Sequence, residues 1–158
     1  MKRHTISTLL AIVLLASLVV SRSAVARDHG CSTTLTAGDW AFTDIGSIVG
    51  LGPFGAIGTF TLDAAGNVVG EQTNSVNGNV SHLTFSGTYT VNSDCTGTAS
   101  NLDVFDSSGN KVRTTEMDVV FDDNVQEMRS IFTSVVLPNG TSLPTAITLQ
   151  ARRLSLKN

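Results

Sequence analysis

The 158-residue chain has little with which to build a metal or catalytic centre: three histidines, two cysteines, one tyrosine and one tryptophan. No G-x-S-x-G elbow and no H-E-x-x-H pair is present, which removes the common serine-hydrolase and zinc-protease arrangements. His29 and His82 read as solvated surface residues. Cys31 and Cys95 lack the set of His and Cys neighbours that a metal centre needs, so no metal and no cofactor is expected. Helical periodicity is missing as well: beyond the first thirty residues no window sustains apolar residues at i, i+3, i+4 and i+7.

The first thirty residues are a different kind of sequence. Lys2, Arg3 and His4 precede an apolar stretch from Ile6 to Val20, and Ala24-Val25-Ala26 follows. That is the layout of a secretory signal peptide. The apolar run falls short of the roughly 20 residues that a membrane-spanning helix needs. The expectation is a signal peptide over 1–26, a single mature domain over 27–158, a secreted or periplasmic location, and no membrane attachment after cleavage. Taking Lys2, Arg3 and Arg22 from the 10 basic residues leaves 7 against 13 acidic ones, a charge of −6. Such a chain has no electrostatic footprint for nucleic acid. In an oxidising compartment Cys31 and Cys95 read as a disulfide. It would close a loop of about 65 residues, for which chain entropy allows roughly 4 kcal/mol.

What is present is alternation. In His82 to Val91, Leu83, Phe85, Gly87, Tyr89 and Val91 share one face, and His82, Thr84, Ser86, Thr88 and Thr90 share the other. Gly87 inside this strand predicts a bend or bulge. Asp63-Ala64-Ala65-Gly66-Asn67 and Asp106-Ser107-Ser108-Gly109-Asn110 share the spelling D-x-x-G-N, a turn in which the Asp caps and the Gly adopts positive φ. Each offers too few carboxylates for calcium. Asn77-Gly78 and Asn139-Gly140 are hairpin signals. Between these turns strands are predicted near 38–45, 56–63, 67–74, 79–91, 96–105, 111–121, 125–135 and 145–155. Eight short strands with no covering helix form an all-β fold, closed into a barrel or stacked as a sandwich. Tight hairpins between successive strands favour the antiparallel up-and-down barrel; the β-sandwich is the alternative.

Gly50 to Gly55, GLGPFG, matches the G-x-G-x-x-G of a dinucleotide turn letter for letter. That turn needs a following helix to hold the pyrophosphate, and here a strand pattern follows, so nucleotide binding is excluded. The segment from Gly46 to Gly55 reads instead as a glycine-rich connection carrying Ile48, Val49, Leu51 and Phe54, either a plug for one end of the barrel or a lid. In the ionisable stretch from Arg113 to Arg129, a turn at Asp122-Asp123 pairs Arg129 with Glu116 or Asp118 across a hairpin.

Gly38-Asp39-Trp40 at the start of the first strand resembles the G-x-W of the calycin barrels, lipocalins and avidins. The lipocalin resemblance implies that Trp40 closes the barrel floor beneath an arginine of the last strand, Arg152 or Arg153. An avidin-type biotin pocket uses several tryptophans, and this chain has one. A second likeness is to small secreted bacterial proteins of unassigned function, on Gly58-Thr59-Phe60-Thr61-Leu62-Asp63 with Gly66-Asn67 and on Gly87 to Thr98. It implies an exported barrel and supplies no catalytic residues.

An eight-stranded barrel either fills with side chains or holds one small ligand. The leading reading is an exported, non-enzymatic barrel binding a small apolar ligand, with Trp40, Phe54, Phe60, Tyr89, Phe121 and Arg153 as candidate ligand-binding residues. The alternatives are a protein-binding barrel of the protease-inhibitor kind, using the segment from Arg27 to Thr36 as an inserted trunk, and a barrel enzyme of the allene-oxide-cyclase or dirigent kind. No feature of the sequence fixes an oligomeric state.

Overall fold

The alternating segments become eight antiparallel strands in the computed structural model, which describes residues 30–155. The expected signal peptide over 1–26, its cleavage site, Arg27 and His29 lie outside the described residues. The strands are β1 (Gly38–Ile48), β2 (Gly52–Leu62), β3 (Asn67–Val76), β4 (Asn79–Val91), β5 (Thr96–Phe105), β6 (Lys111–Phe121), β7 (Glu127–Val136) and β8 (Thr145–Arg153). They follow one another around a closed barrel, and β8 pairs with β1 from Trp40 opposite Arg153 to Ile48 opposite Thr145. Closure rules out the sandwich, with β7 and β8 paired from Glu127 opposite Arg152 to Ile131 opposite Thr148. A single helical turn, α1 (Thr33–Thr36), precedes β1.

The turns form for the reasons their spellings give. In the first D-x-x-G-N turn Asp63 Oδ1 accepts from the backbone N–H of Ala65 at 2.9 Å and of Asn67 at 2.8 Å, and Oδ2 accepts from Asn67 Nδ2 at 2.7 Å. Asp106 repeats the pattern with Ser108 and Asn110. These bonds hold both carboxyls below the usual carboxylate range. At the β3–β4 hairpin Asn77 and Gly78 both take positive φ, 48° and 87°, as a type I′ turn requires.

Two expectations are corrected. Gly46 to Gly55 is not a long lid: β1 runs to Ile48, β2 starts at Gly52, and Val49, Gly50 and Leu51 form the turn between them. The glycines serve strand geometry. A Cβ on Gly46 would lie 2.1 Å from the Ala146 carbonyl oxygen, and Gly52 has φ of 112°. Of its apolar residues, Ile48 and Phe54 pack with Ala56 and Ile147 at this end of the barrel, whereas Val49 and Leu51 are exposed on the turn and plug nothing. The Arg129 ion pair is not formed. Arg129 lies opposite Val120, Asp118 opposite Ile131 and Glu116 opposite Ser134. The turn is longer than expected because Asp122 Oδ1 gathers the N–H groups of Gln126 and Glu127 at 2.7 and 2.9 Å, and β7 starts at Glu127.

Inward-facing glycines shape the interior. A Cβ on Gly58 would meet the Phe42 ring at 2.8 Å, and one on Gly70 would meet Phe85 Cζ at 2.4 Å. The two rings therefore occupy the space where side chains are missing. Gly87 marks the register shift expected of it, between Ser86 and Thr88 opposite β5. Phe42, Phe60, Phe85, Phe121 and Trp40 form a chain of rings with centroids 5.7 to 6.2 Å apart. Each such pair adds about 0.5–1.5 kcal/mol beyond burial.

Candidate ligand cavity

The floor of the barrel is sealed. Trp40 is fully buried, stacked on Phe60 and edge-on to Phe121, and its Nε1 donates to the Thr36 carbonyl at 3.2 Å. The Arg153 guanidinium lies 5.9 Å from the indole centroid and donates to the carbonyls of Leu35, at 3.1 Å, and Ala37. This is the floor packing that the lipocalin resemblance implies, with Arg153 rather than Arg152 in the role. The Tyr89 hydroxyl donates to the Asp63 carbonyl at 2.6 Å and lies 3.0 Å from that of Thr33; burial pushes the phenol up from its ordinary pKa. The Cys31–Cys95 disulfide ties this segment to the β4–β5 turn. In the segment 31–37 Cys31 and Thr36 are buried against the floor, while Thr34 and Leu35 are exposed.

Above the floor lies a cavity of about 60 Å³. Its walls are apolar, including Phe60, Phe85, Leu102, Met117, Met128 and Phe132. Among them stand four polar residues: Asp44 from β1, Gln72 from β3, and Arg113 and Thr115 from β6. Asn74, next inward-facing residue after Gln72 on β3, is buried beside them. Asp44 Oδ1, Gln72 Nε2, Asn74 Oδ1 and Thr115 Oγ1 are buried without a hydrogen-bond partner. Burial pushes the Asp44 carboxyl up to about 7, outweighing the pull of the Arg113 charge. Burial also lowers Arg113, and the Asp44 charge opposes that shift. The two sense each other without a contact ion pair; the pair found among the described residues is Lys111–Asp103, on the surface at 3.4 Å.

Of the residues expected to bind a ligand, Phe60, Tyr89 and Phe121 line the cavity. Trp40 and Arg153 lie in the floor beneath it, and Phe54 belongs to the separate cluster at the far end. The polar residues of the cavity were not anticipated. Their signal is parity: Asp44 is two residues on from Phe42 and four from Trp40, hence on the inner face, and Arg113 and Thr115 share the parity of Met117, Val119 and Phe121. No group of His, Cys, Asp and Glu suited to a metal occurs among the described residues, and no helix among them is long and apolar enough to cross a membrane.

No protein-family model matches the chain, and no curated protein matches it. Among solved structures it is similar to EF1p2_mFAP2b bound to DFHBI, at 11% identity over 76% of this chain and 94% of that one, with a TM-score of 0.48. It is also similar to the S-type phycobiliprotein lyase CPES from Guillardia theta, at 9% identity over 82% of this chain and 97% of that one, with a TM-score of 0.49.

Proposed function

We infer that the protein is an exported barrel that binds one compact, largely apolar molecule in its interior, above the Trp40 floor. The observation carrying this reading is the cavity itself: apolar walls enclosing polar groups that no protein atom satisfies. Buried polar atoms left unpaired cost about 1–3 kcal/mol each, so a chain that folds around several of them in one place supports a binding role better than a purely structural one. Size narrows the ligand. Drug-sized sites occupy roughly 300–1,000 Å³, several-fold more than the 60 Å³ here. Fatty acids and sterols are therefore poor candidates, and a single ring or short chain is the fitting scale. Even that needs the walls to yield, which Met117 and Met128 suit, because unbranched thioether side chains repack readily.

Those two methionines also supply the test. Apart from Met1 they are the chain's methionines, so ¹³C-methyl labelling gives a spectrum dominated by the cavity wall. Titration with benzene is expected to shift both methyl resonances saturably. Unmoved resonances up to the solubility limit would overturn the reading.

A further inference from the structure

The polar atoms inside the barrel differ in kind, and their combination selects a chemical class. Asp44 Oδ1 and Asn74 Oδ1 offer acceptors, Gln72 Nε2 offers a donor, and Thr115 Oγ1 offers both. All four residues are more than nine-tenths buried. Asp44, Gln72 and Thr115 line the cavity from three different strands, so they converge on it from different directions. Between Asp44 on β1 and the amides on β3 stands β2, whose inward residues at these levels are Ala56 and Gly58. Neither reaches far into the barrel. The acid and the amides are separated by two strand spacings, about 10 Å at the backbone; the Phe42 ring packs over Gly58, and at the level of Asp44 and Asn74 the side chain between acid and amide is the single methyl of Ala56.

We propose that this mid-barrel belt recognises the neutral hydrogen-bonding end of the ligand, a hydroxyl or carboxamide that donates and accepts at once, while the apolar walls hold its body. The assignment rests on the reading that the interior is a ligand site. A hydroxyl donating toward Asp44 and accepting from Gln72 or Thr115 satisfies orphaned atoms on both sides with one group. A hydrocarbon of the same shape leaves them unpaired and gains nothing from the belt. A carboxylate fares worse, because it places a second negative charge beside Asp44 where Arg113 is the one facing cation. Rotating an amide end by half a turn exchanges its donor and acceptor, so the mixed character of the belt persists in either orientation of Gln72 and Asn74.

Three molecules of one ring size test this: phenol, benzene and benzoate, titrated against the methionine-methyl-labelled protein. Phenol is expected to bind at least tenfold more tightly than benzene, and benzoate more weakly than both. Gln72→Leu and Thr115→Val, each checked for a cooperative melt, are expected to lower the affinity for phenol relative to that for benzene at least fivefold. Equal affinity for phenol and benzene would overturn the proposal while leaving an apolar ligand site standing. Tightest binding of benzoate would overturn it in favour of Arg113 as an anion-recognising group. Phenol affinity relative to benzene unchanged by both substitutions would also overturn it, and no binding of any of the three would remove the ligand site and the proposal together.

Discussion

At the floor of the barrel, the indole of Trp40, the hydroxyl of Tyr89 and the guanidinium of Arg153 each reach a backbone carbonyl. Two layers above, Asp44, Gln72 and Thr115 offer polar atoms that reach none. Both sets are buried, both lie on inward-facing positions of the same strands or their neighbours, and both mix polar groups with aromatic walls. The difference is what each contributes to folding. The floor converts its polar groups into hydrogen bonds and adds a disulfide. The belt leaves free energy unspent, which is the pattern of a site whose stability has yielded to function.

Breaking the floor gives the largest expected effects. Trp40→Ala removes a fully buried indole with two ring partners, and a loss of about 3–5 kcal/mol is expected from urea unfolding. Next comes a pH effect in the belt. Folding raises the Asp44 pKa from 3.8 to about 7, so the native state holds this proton more tightly than the unfolded chain does. Its contribution favours folding most below pH 4 and falls as pH rises from about 4 to 7, by up to roughly 4 kcal/mol. Asp63, Asp94 and Asp106 have lowered values and act in the opposite sense, stabilising above the ordinary carboxylate range and less so in acid. The difference between the stability–pH curves of the native chain and of Asp44→Asn isolates Asp44 and is expected to flatten above pH 7. Replacing both cysteines by serine opens a link across 64 residues and is expected to cost about 2–4 kcal/mol in thermal or urea melts. The smallest change has the opposite sign. Thr115→Val swaps an unpartnered hydroxyl for a methyl and is expected to stabilise the protein by about 1 kcal/mol. A destabilisation of similar size would show that the hydroxyl is satisfied in solution, and the contrast between floor and belt would weaken.

Strand number, strand order and most turns were legible because period-2 alternation and the D-x-x-G-N and Asn-Gly turns are local signals. The floor was legible through Gly38-Asp39-Trp40 and the arginines of the last strand. The belt was not, because hydrophobicity misleads within β1: Ile45 points outward and is 68% exposed, while the adjacent Asp44 is buried. Strand parity counted from Trp40 gives the right answer, but it contradicts the chemistry of both residues. The glycines of Gly46 to Gly55 suggested a loose connection because composition cannot distinguish a flexible glycine from one that clears a neighbouring backbone. Arg129 missed its predicted partners because Asp122 captures two backbone N–H groups and lengthens the turn by side-chain chemistry.

The described chain leaves the barrel twice, and both exits are on the same side. The Cys31 amide donates to the Ser93 carbonyl at 3.3 Å beside the disulfide, and the Leu154 amide donates to the Asp39 carbonyl at 2.8 Å beside Trp40. Both anchors belong to the floor, so a tag, fusion partner or immobilising surface attached at either flank would sit there. The opposite rim, with the β1–β2, β3–β4, β5–β6 and β7–β8 hairpins, would stay turned toward solution. Barrels arrayed on a sensor chip through either flank would thus share one orientation, with their hairpin rims uppermost.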